Sequence, residues 1–170
     1  HRTFPNGRFD QPPGKRVSWQ NPAPWTGAQR LLRIDQSSGE LDSIEPFGLP
    51  GGGIFAPPVN IPEHEVAVAW DSINGGLAGI STSGSLEPLW HLNVKPTMQP
   101  VVFPESGELV INDFTDDQSD DVVVVDIQTG ELLARVPTGS RVANGMFLSA
   151  GDQRDVYYCS TLTWARISWA

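Results

Sequence analysis

Residues 122–132 read VVVVDIQTGEL, and this stretch decides the fold of the chain. The four consecutive valines form an apolar run of strand length. Asp126 begins a polar turn by accepting hydrogen bonds from the backbone that follows it, and Gly130 supplies the positive φ that closes the turn. A strand with one wet face would alternate apolar and polar residues, so this strand is predicted to be covered on both faces.

Two other stretches share this hairpin pattern, residues 31–41 (LLRIDQSSGEL) and residues 77–86 (LAGISTSGSL). Each has an apolar strand, a polar turn ending in glycine, and a Leu that opens the next strand. The turn glycines Gly39, Gly84 and Gly130 are separated by 84 − 39 = 45 and 130 − 84 = 46 residues. This regular spacing predicts a structural repeat of about 45 residues.

Each repeat has room for two more strands. In one repeat, apolar segments at 54–57 and 65–70 flank a turn over residues 60–64; in the next, segments at 100–103 and 108–112 flank a turn at 104–107. Four short antiparallel strands in about 45 residues are typical of one propeller blade. The predicted fold is therefore all-β, a β-propeller of about three to four four-stranded antiparallel blades.

A family resemblance supports this prediction. Residues 126–132 (DIQTGEL) resemble the outer hairpin of quinoprotein-like and seven-bladed β-propeller repeats, in which an Asp, a Thr-Gly or Ser-Gly turn and an apolar strand recur once per blade. Residues 35–41 resemble it too, whereas the middle copy has Ile80 in place of the Asp. The resemblance spans about residues 28–170 and implies an architecture without an activity. The sequence lacks the Gly-His and Trp-Asp signature of WD40 repeats and the tryptophan-docking motif of quinone-binding blades, so no cofactor is predicted.

The predicted blades span about residues 28–48, 49–93, 94–139 and 140–170. Residues 1–27 are rich in Pro, Gly and aromatic residues and are interpreted as an arm or as inner strands of the first blade. The fourth blade is expected to lack its outer strand. Because free strand edges promote aggregation, three closures remain open: the N-terminal segment completes a four-bladed ring, several chains form a larger homo-oligomeric ring, or the blades belong to a longer propeller.

Composition excludes some functions. The formal net charge of −9 and pI near 4.6 disfavour nucleic-acid and anionic membrane partners, both of which require clustered Lys and Arg. No run of 18 apolar residues occurs, so no membrane-spanning helix is predicted. A single cysteine, Cys159, precludes an intrachain disulfide, and its apolar neighbours predict a buried, inert thiol. The compartment stays open, with an extracytoplasmic location as one alternative.

Residues 113–121 carry five carboxylates, a density of oxygen ligands that can bind Ca²⁺. This stretch lacks the EF-hand spacing and falls where the loop between two middle strands of a blade belongs. The alternative interpretation is a solvated, self-repelling loop. The candidate calcium ligands are Asp113, Asp116, Asp117, Asp120 and Asp121.

The histidines and tryptophans are further candidates. His1 with a second His could chelate copper if it were a mature N-terminus, and His64 with a neighbouring Glu could contribute to a zinc site, but neither has a complete ligand set. His91 is interpreted as structural or exposed. The six tryptophans can fill the space between blades or line a ligand cleft. Trp19 and Trp25, in the Pro-rich segment, are the predicted partner-binding residues.

The sequence predicts a non-enzymatic binding or assembly module that contacts a protein or carbohydrate partner through loops and tryptophans. The alternative is part of a propeller enzyme, a metal-dependent hydrolase or lyase, whose active site this chain does not reveal. The propeller fold hosts both classes, so the fold does not choose between them.

Overall fold

The computed structural model of the chain describes residues 16–20, 30–47, 57–114, 119–140 and 145–169. These residues form fourteen strands in four antiparallel sheets and contain no α-helix, which confirms the all-β prediction. Sheet 1 contains β1 Arg16–Gln20, β2 Arg30–Ile34 and β3 Leu41–Ile44. Sheet 2 contains β4 Val59–Ile61, β5 Val66–Trp70, β6 Leu77–Ser81 and β7 Glu87–Leu92. Sheet 3 contains β8 Val101–Phe103, β9 Glu108–Phe114, β10 Asp120–Asp126 and β11 Leu132–Ser140. Sheet 4 contains β12 Gly145–Ala150, β13 Asp155–Ser160 and β14 Trp164–Ser168.

In every sheet, strands that follow one another in the chain lie side by side. The valines of β10 pair with β9 on one side and with β11 on the other. Val123 and Val125 face sheet 2, whereas Val122 and Val124 face sheet 4, and all four are fully buried. The prediction that this strand is covered on both faces is therefore confirmed, because successive side chains point to opposite faces of a sheet.

The sheets pack against one another in chain order. An apolar cluster around Leu31 and Ala67 joins sheet 1 to sheet 2. A second cluster, around Val68 and Ile111, joins sheets 2 and 3, and a third, around Val124 and Tyr158, joins sheets 3 and 4. Sheets 2 and 3 are thus buried on both faces, whereas sheet 4 is covered by sheet 3 on one face.

The turns between β2 and β3 and between β10 and β11 have the same geometry. Asp35 Oδ1 accepts hydrogen bonds from the backbone N–H groups of Ser37 and Ser38. Asp126 Oδ1 accepts those of Gln128 and Thr129 at 2.9 and 2.7 Å. Their closing glycines, Gly39 and Gly130, have φ values of +75° and +72°. These two hairpins follow the local chemistry that the sequence predicts.

The middle glycine behaves differently. Gly84 lies in the corresponding turn between β6 and β7, but it does not adopt a positive φ, so that expectation is wrong for this copy. Ser81 stands near the start of this turn, and its hydroxyl lies 3.0 Å from the hydroxyl of Ser83. A hydroxyl side chain caps a turn more weakly than a carboxylate, so the β6–β7 turn is not held in the conformation of the other two turns.

The short turn between β4 and β5 corrects the sequence reading. The sequence places a strand at residues 54–57 and a turn over 60–64, but Asn60 and Ile61 belong to β4, which pairs with β5. A 3₁₀ turn at Pro62–His64 follows, with Glu65 in the left-handed region at φ +53°. Residues 54–56 lie outside the described residues.

In the part of the chain that the structure covers, no helix is long and apolar enough to cross a membrane.

Candidate functional site

The acidic stretch spans the end of β9 and the start of β10. Asp113 and Asp121 lie on neighbouring strands, and Arg135 of β11 donates to both carboxylates at 2.7 and 2.9 Å. Asp113 also accepts the backbone N–H of Lys95 at 2.7 Å. Asp116 and Asp117 fall outside the described residues. One guanidinium group therefore bridges both largely buried carboxylates and offsets one of their two negative charges.

Asp120 points away from them into the boundary between sheets 3 and 4. Its carboxylate is fully buried and accepts hydrogen bonds from the Tyr158 hydroxyl at 2.6 Å and from the Asn112 amide at 2.9 Å. Burial raises the pKa of Asp120, and the two hydrogen bonds partly offset that rise. Asp120 thus links β9, β10 and β13 across two sheets, a role that sequence reasoning missed.

Among the residues that the structure describes, no group of three or more His, Cys, Asp or Glu side chains is arranged to hold a metal ion. The calcium site stays a prediction that depends on Asp116 and Asp117. The metal-dependent enzyme also stays a prediction.

The described histidines occupy structural positions. The ring Nε2 of His64 lies 2.7 Å from the carbonyl oxygen of Pro104, so the β4–β5 turn of sheet 2 is held against the β8–β9 turn of sheet 3. His91 packs edge-on against the ring of Phe47 at a centroid distance of 5.7 Å. His1 lies outside the described residues.

Trp90 is the tryptophan most closely fitted between sheets. Its indole N–H donates to the carbonyl oxygen of Ile127 in sheet 3 at 2.9 Å. A Cβ atom placed on Gly79 or Gly130 would come within 2.2 or 2.6 Å of the indole, so both glycines are needed to admit the ring. The sequence shows no tryptophan-docking motif, yet a tryptophan of one sheet does dock on the glycine turn of the next.

The predicted partner-binding tryptophans are not placed by the structure. Trp19 lies in β1, where its backbone pairs with Leu31, but its side chain is outside the described part. Trp25 is outside the described residues altogether. The exposed aromatic residues that the structure does describe lie elsewhere, in sheet 4.

We call the side of sheet 4 that is turned away from sheet 3 the outer face of sheet 4; it carries Phe147, Ser149, Tyr157, Cys159, Trp164 and Arg166. Trp164, Phe147 and Tyr157 are 79, 62 and 42% exposed, and they are the only exposed aromatic residues among those described. The register sets Phe147, Cys159 and Trp164 in one row across three strands, and Ser149, Tyr157 and Arg166 in a second row.

The electrostatics of this face centre on Arg166. Its guanidinium pairs with Asp155, whose carboxylate is almost fully buried while the arginine remains 60% exposed. The backbone N–H of Gln153 and the Arg166 guanidinium hold the pKa of Asp155 below its ordinary range. The face therefore combines three exposed rings with one anchored, partly exposed cation.

Cys159 corrects another expectation. The sequence places it in a fully buried strand, but β13 is buried on one side only: Val156 and Tyr158 face sheet 3, while Tyr157 is exposed and Cys159 is half-buried. The apolar run of β13 does not reveal which of its two faces a neighbouring sheet covers. That is why the sequence did not point to the outer face of sheet 4.

Comparison with known proteins adds no identity: no family model matches the chain, and no curated protein is significantly similar to it.

Proposed function

We propose that this chain is a non-enzymatic binding and assembly module, that its four sheets are blades of a β-propeller, and that the outer face of sheet 4 contacts a protein or glycan partner. The order of packing supports the propeller. Each sheet lies against the next one in the chain, and sheets 2 and 3 are four-stranded meanders buried on both faces. The matching turns at Gly39 and Gly130 also support it.

The distribution of exposed aromatic residues carries the binding role. Aromatic side chains in sheets 2 and 3, such as Trp70 and Trp90, are buried or half-buried between sheets. In contrast, Phe147, Tyr157 and Trp164 present their rings on one face of sheet 4. Contiguous exposed apolar surface on a folded protein marks an interaction site. Rings with polar neighbours, here Ser149 and Arg166, suit protein and carbohydrate surfaces alike.

A photo-cross-linking experiment tests this function. A diazirine amino acid replaces Trp164 in one variant and Leu89 in a control, because Leu89 is also exposed but belongs to β7 of an inner sheet. After irradiation in the native cells, a discrete adduct at position 164 that weakens on Tyr157→Ser supports the proposal. Equal, diffuse labelling at both positions contradicts it.

A further inference from the structure

We infer that the outer face of sheet 4 binds the same face of a second copy of this chain and forms a two-fold symmetric dimer. This inference rests on the proposed function, because it names the partner of that same surface. The alternatives are another β-sheet that continues the stack, an unrelated protein, or a glycan; the experiment below separates them.

The composition of the outer face differs from that of the faces buried between sheets. Sheet 3 presents mainly aliphatic residues to sheet 4, among them Val110, Val122 and Val124, with Phe103 as its one aromatic residue in the cluster. The outer face of sheet 4 instead combines Trp, Tyr and Phe with an arginine and a serine. Trp, Tyr and Arg are the residues most enriched in hot spots of protein–protein interfaces, which indicates association between folded molecules.

The two rows of this face complement one another. One row holds two exposed rings, Phe147 and Trp164, and the other holds Tyr157 and the partly exposed guanidinium of Arg166. A two-fold axis that runs between the rows places each row of one copy over the other row of its partner. Arg166 then lies over an aromatic ring of the second copy, a favourable cation–π arrangement. Two-fold symmetry is also the commonest way in which one patch binds itself.

The charge distribution favours a second copy at this end of the stack. The whole chain has a formal net charge of −9, so two copies repel each other over most approaches. Residues 145–169 hold two arginines, Arg154 and Arg166, and two aspartates, Asp152 and Asp155, and are therefore neutral. Face-to-face contact through sheet 4 keeps the acidic sheets of the two copies apart.

Cys159 supplies a direct test in the unmodified chain, because it is the only cysteine and lies within the outer face. The two Cys159 residues are offset by one row across the two-fold axis, so a sheet separation of about 10 Å and a row spacing of about 7 Å place them roughly 12 Å apart, which a bis-maleimide linker spans. We expect the purified chain to dimerise in sedimentation equilibrium and to yield a Cys159–Cys159 cross-link. Trp164→Ser and Tyr157→Ser should each weaken dimerisation by at least about tenfold. Leu89→Ser, on the inner sheet, should leave it unchanged, and circular dichroism checks that each variant is folded.

Three outcomes would overturn the inference. A chain that stays monomeric at all concentrations excludes the dimer, while a Trp164 adduct with another macromolecule would still support the proposed function. A dimer that Leu41→Ser weakens as much as Trp164→Ser uses sheet 1, whose Leu41 is exposed, and is therefore head-to-tail. A dimer that forms no cysteine cross-link places the two Cys159 residues apart. Failure of the proposed function itself is distinct: position 164 then gives no specific adduct of any kind.

Discussion

The boundary between sheets 2 and 3 and the boundary between sheets 3 and 4 hold the same kind of sheets together by different means. The first buries a cluster of aliphatic residues and Trp70, and Trp90 fits at its edge between Gly79 and Gly130. The second has fewer buried apolar residues and adds polar links, of which the Asp120–Tyr158 hydrogen bond is fully buried. Stability of the first boundary therefore depends on shape, and that of the second depends also on protonation.

The second boundary also has an ion pair, between Glu108 and Arg154. Glu108 of β9 is buried and accepts hydrogen bonds from the Arg154 guanidinium and from the Trp169 indole N–H. The Arg154 hydrogen bond holds the pKa of Glu108 below its ordinary value. Burial, in contrast, raises the pKa of Asp120. The pKa values of Glu108 and Asp120 are thus shifted in opposite directions. Five substitutions, taken in order of decreasing effect on stability, test this contrast.

The largest effect is expected from Gly130→Ala at the first boundary. The new methyl group would lie 2.6 Å from Trp90 Cγ and would sit at φ +72°, so we expect a loss of about 2–4 kcal/mol in the free energy of unfolding. Gly39→Ala is the matched control, because Gly39 has φ +75° and open space around it. The control should lose only about 1 kcal/mol. Equal losses in urea unfolding would show that Trp90 does not confine the turn.

At the second boundary, Tyr158→Phe removes the hydroxyl that donates to Asp120. We expect a loss of about 1–2 kcal/mol near neutral pH, because the buried carboxylate then keeps, of its two donors among the described residues, the Asn112 amide. That hydroxyl favours the ionised form of Asp120, so the loss should shrink below about pH 3.5, where the carboxyl is protonated in the folded and unfolded states. Tyr157→Phe, on the exposed side of the same strand, is the control and should change stability by less than about 0.5 kcal/mol.

The two carboxyls at the second boundary should respond to pH in opposite directions. Glu108 has a lowered pKa when folded, so its contribution is complete above the unfolded value and is lost as the pH falls through the folded pKa. Asp120 has a raised pKa, so its contribution is complete below the unfolded value and is lost as the pH rises through the folded pKa. Glu108→Gln should therefore lower the free energy of unfolding most near neutral pH, and Asp120→Asn should lower it most in acid.

Urea unfolding of both variants and of the parent chain between about pH 3 and pH 7 measures these slopes. Parallel profiles for the two variants would mean that the boundary does not distinguish the two carboxyls.

The smallest effect is expected from Arg30→Gln in sheet 1. Arg30 donates to Glu45 at 2.7 Å, but both side chains are about half-exposed, so solvent screens the pair. We expect a change of less than about 0.5 kcal/mol in urea unfolding. A change as large as that of Glu108→Gln would imply that exposure does not explain the difference between the two ion pairs.

Local chemistry explains which parts of the fold the sequence predicts. The runs at 122–125 and 31–34 are strands, and the turns at Gly39 and Gly130 form because an Asp carboxylate accepts the following backbone N–H groups. The sequence misplaced the strand before Pro62 and the conformation of Gly84. In both places the local signal is weak, and pairing with a neighbouring strand decides the outcome.

The outer face of sheet 4 could not be predicted from the sequence, and the reason is different. Val156, Tyr157, Tyr158 and Cys159 form a uniformly apolar run, yet alternate residues face sheet 3 and solvent. Which face is covered depends on where the chain places its neighbouring sheet, and that is a long-range property. Asp120 is similar: it belongs to an acidic stretch, but β13 converts it from a surface carboxylate into a buried acceptor.

Packing in chain order has a consequence for how the molecule opens. The described apolar clusters join only sheets that are adjacent in the chain, so each sheet depends on its nearest neighbours, as in a linear array of modules. Amide hydrogens of β13 and β14 should exchange with solvent through partial opening of sheet 4, whereas those of β9 and β10 should exchange only through global unfolding. The strand with four valines would then be the last to be released.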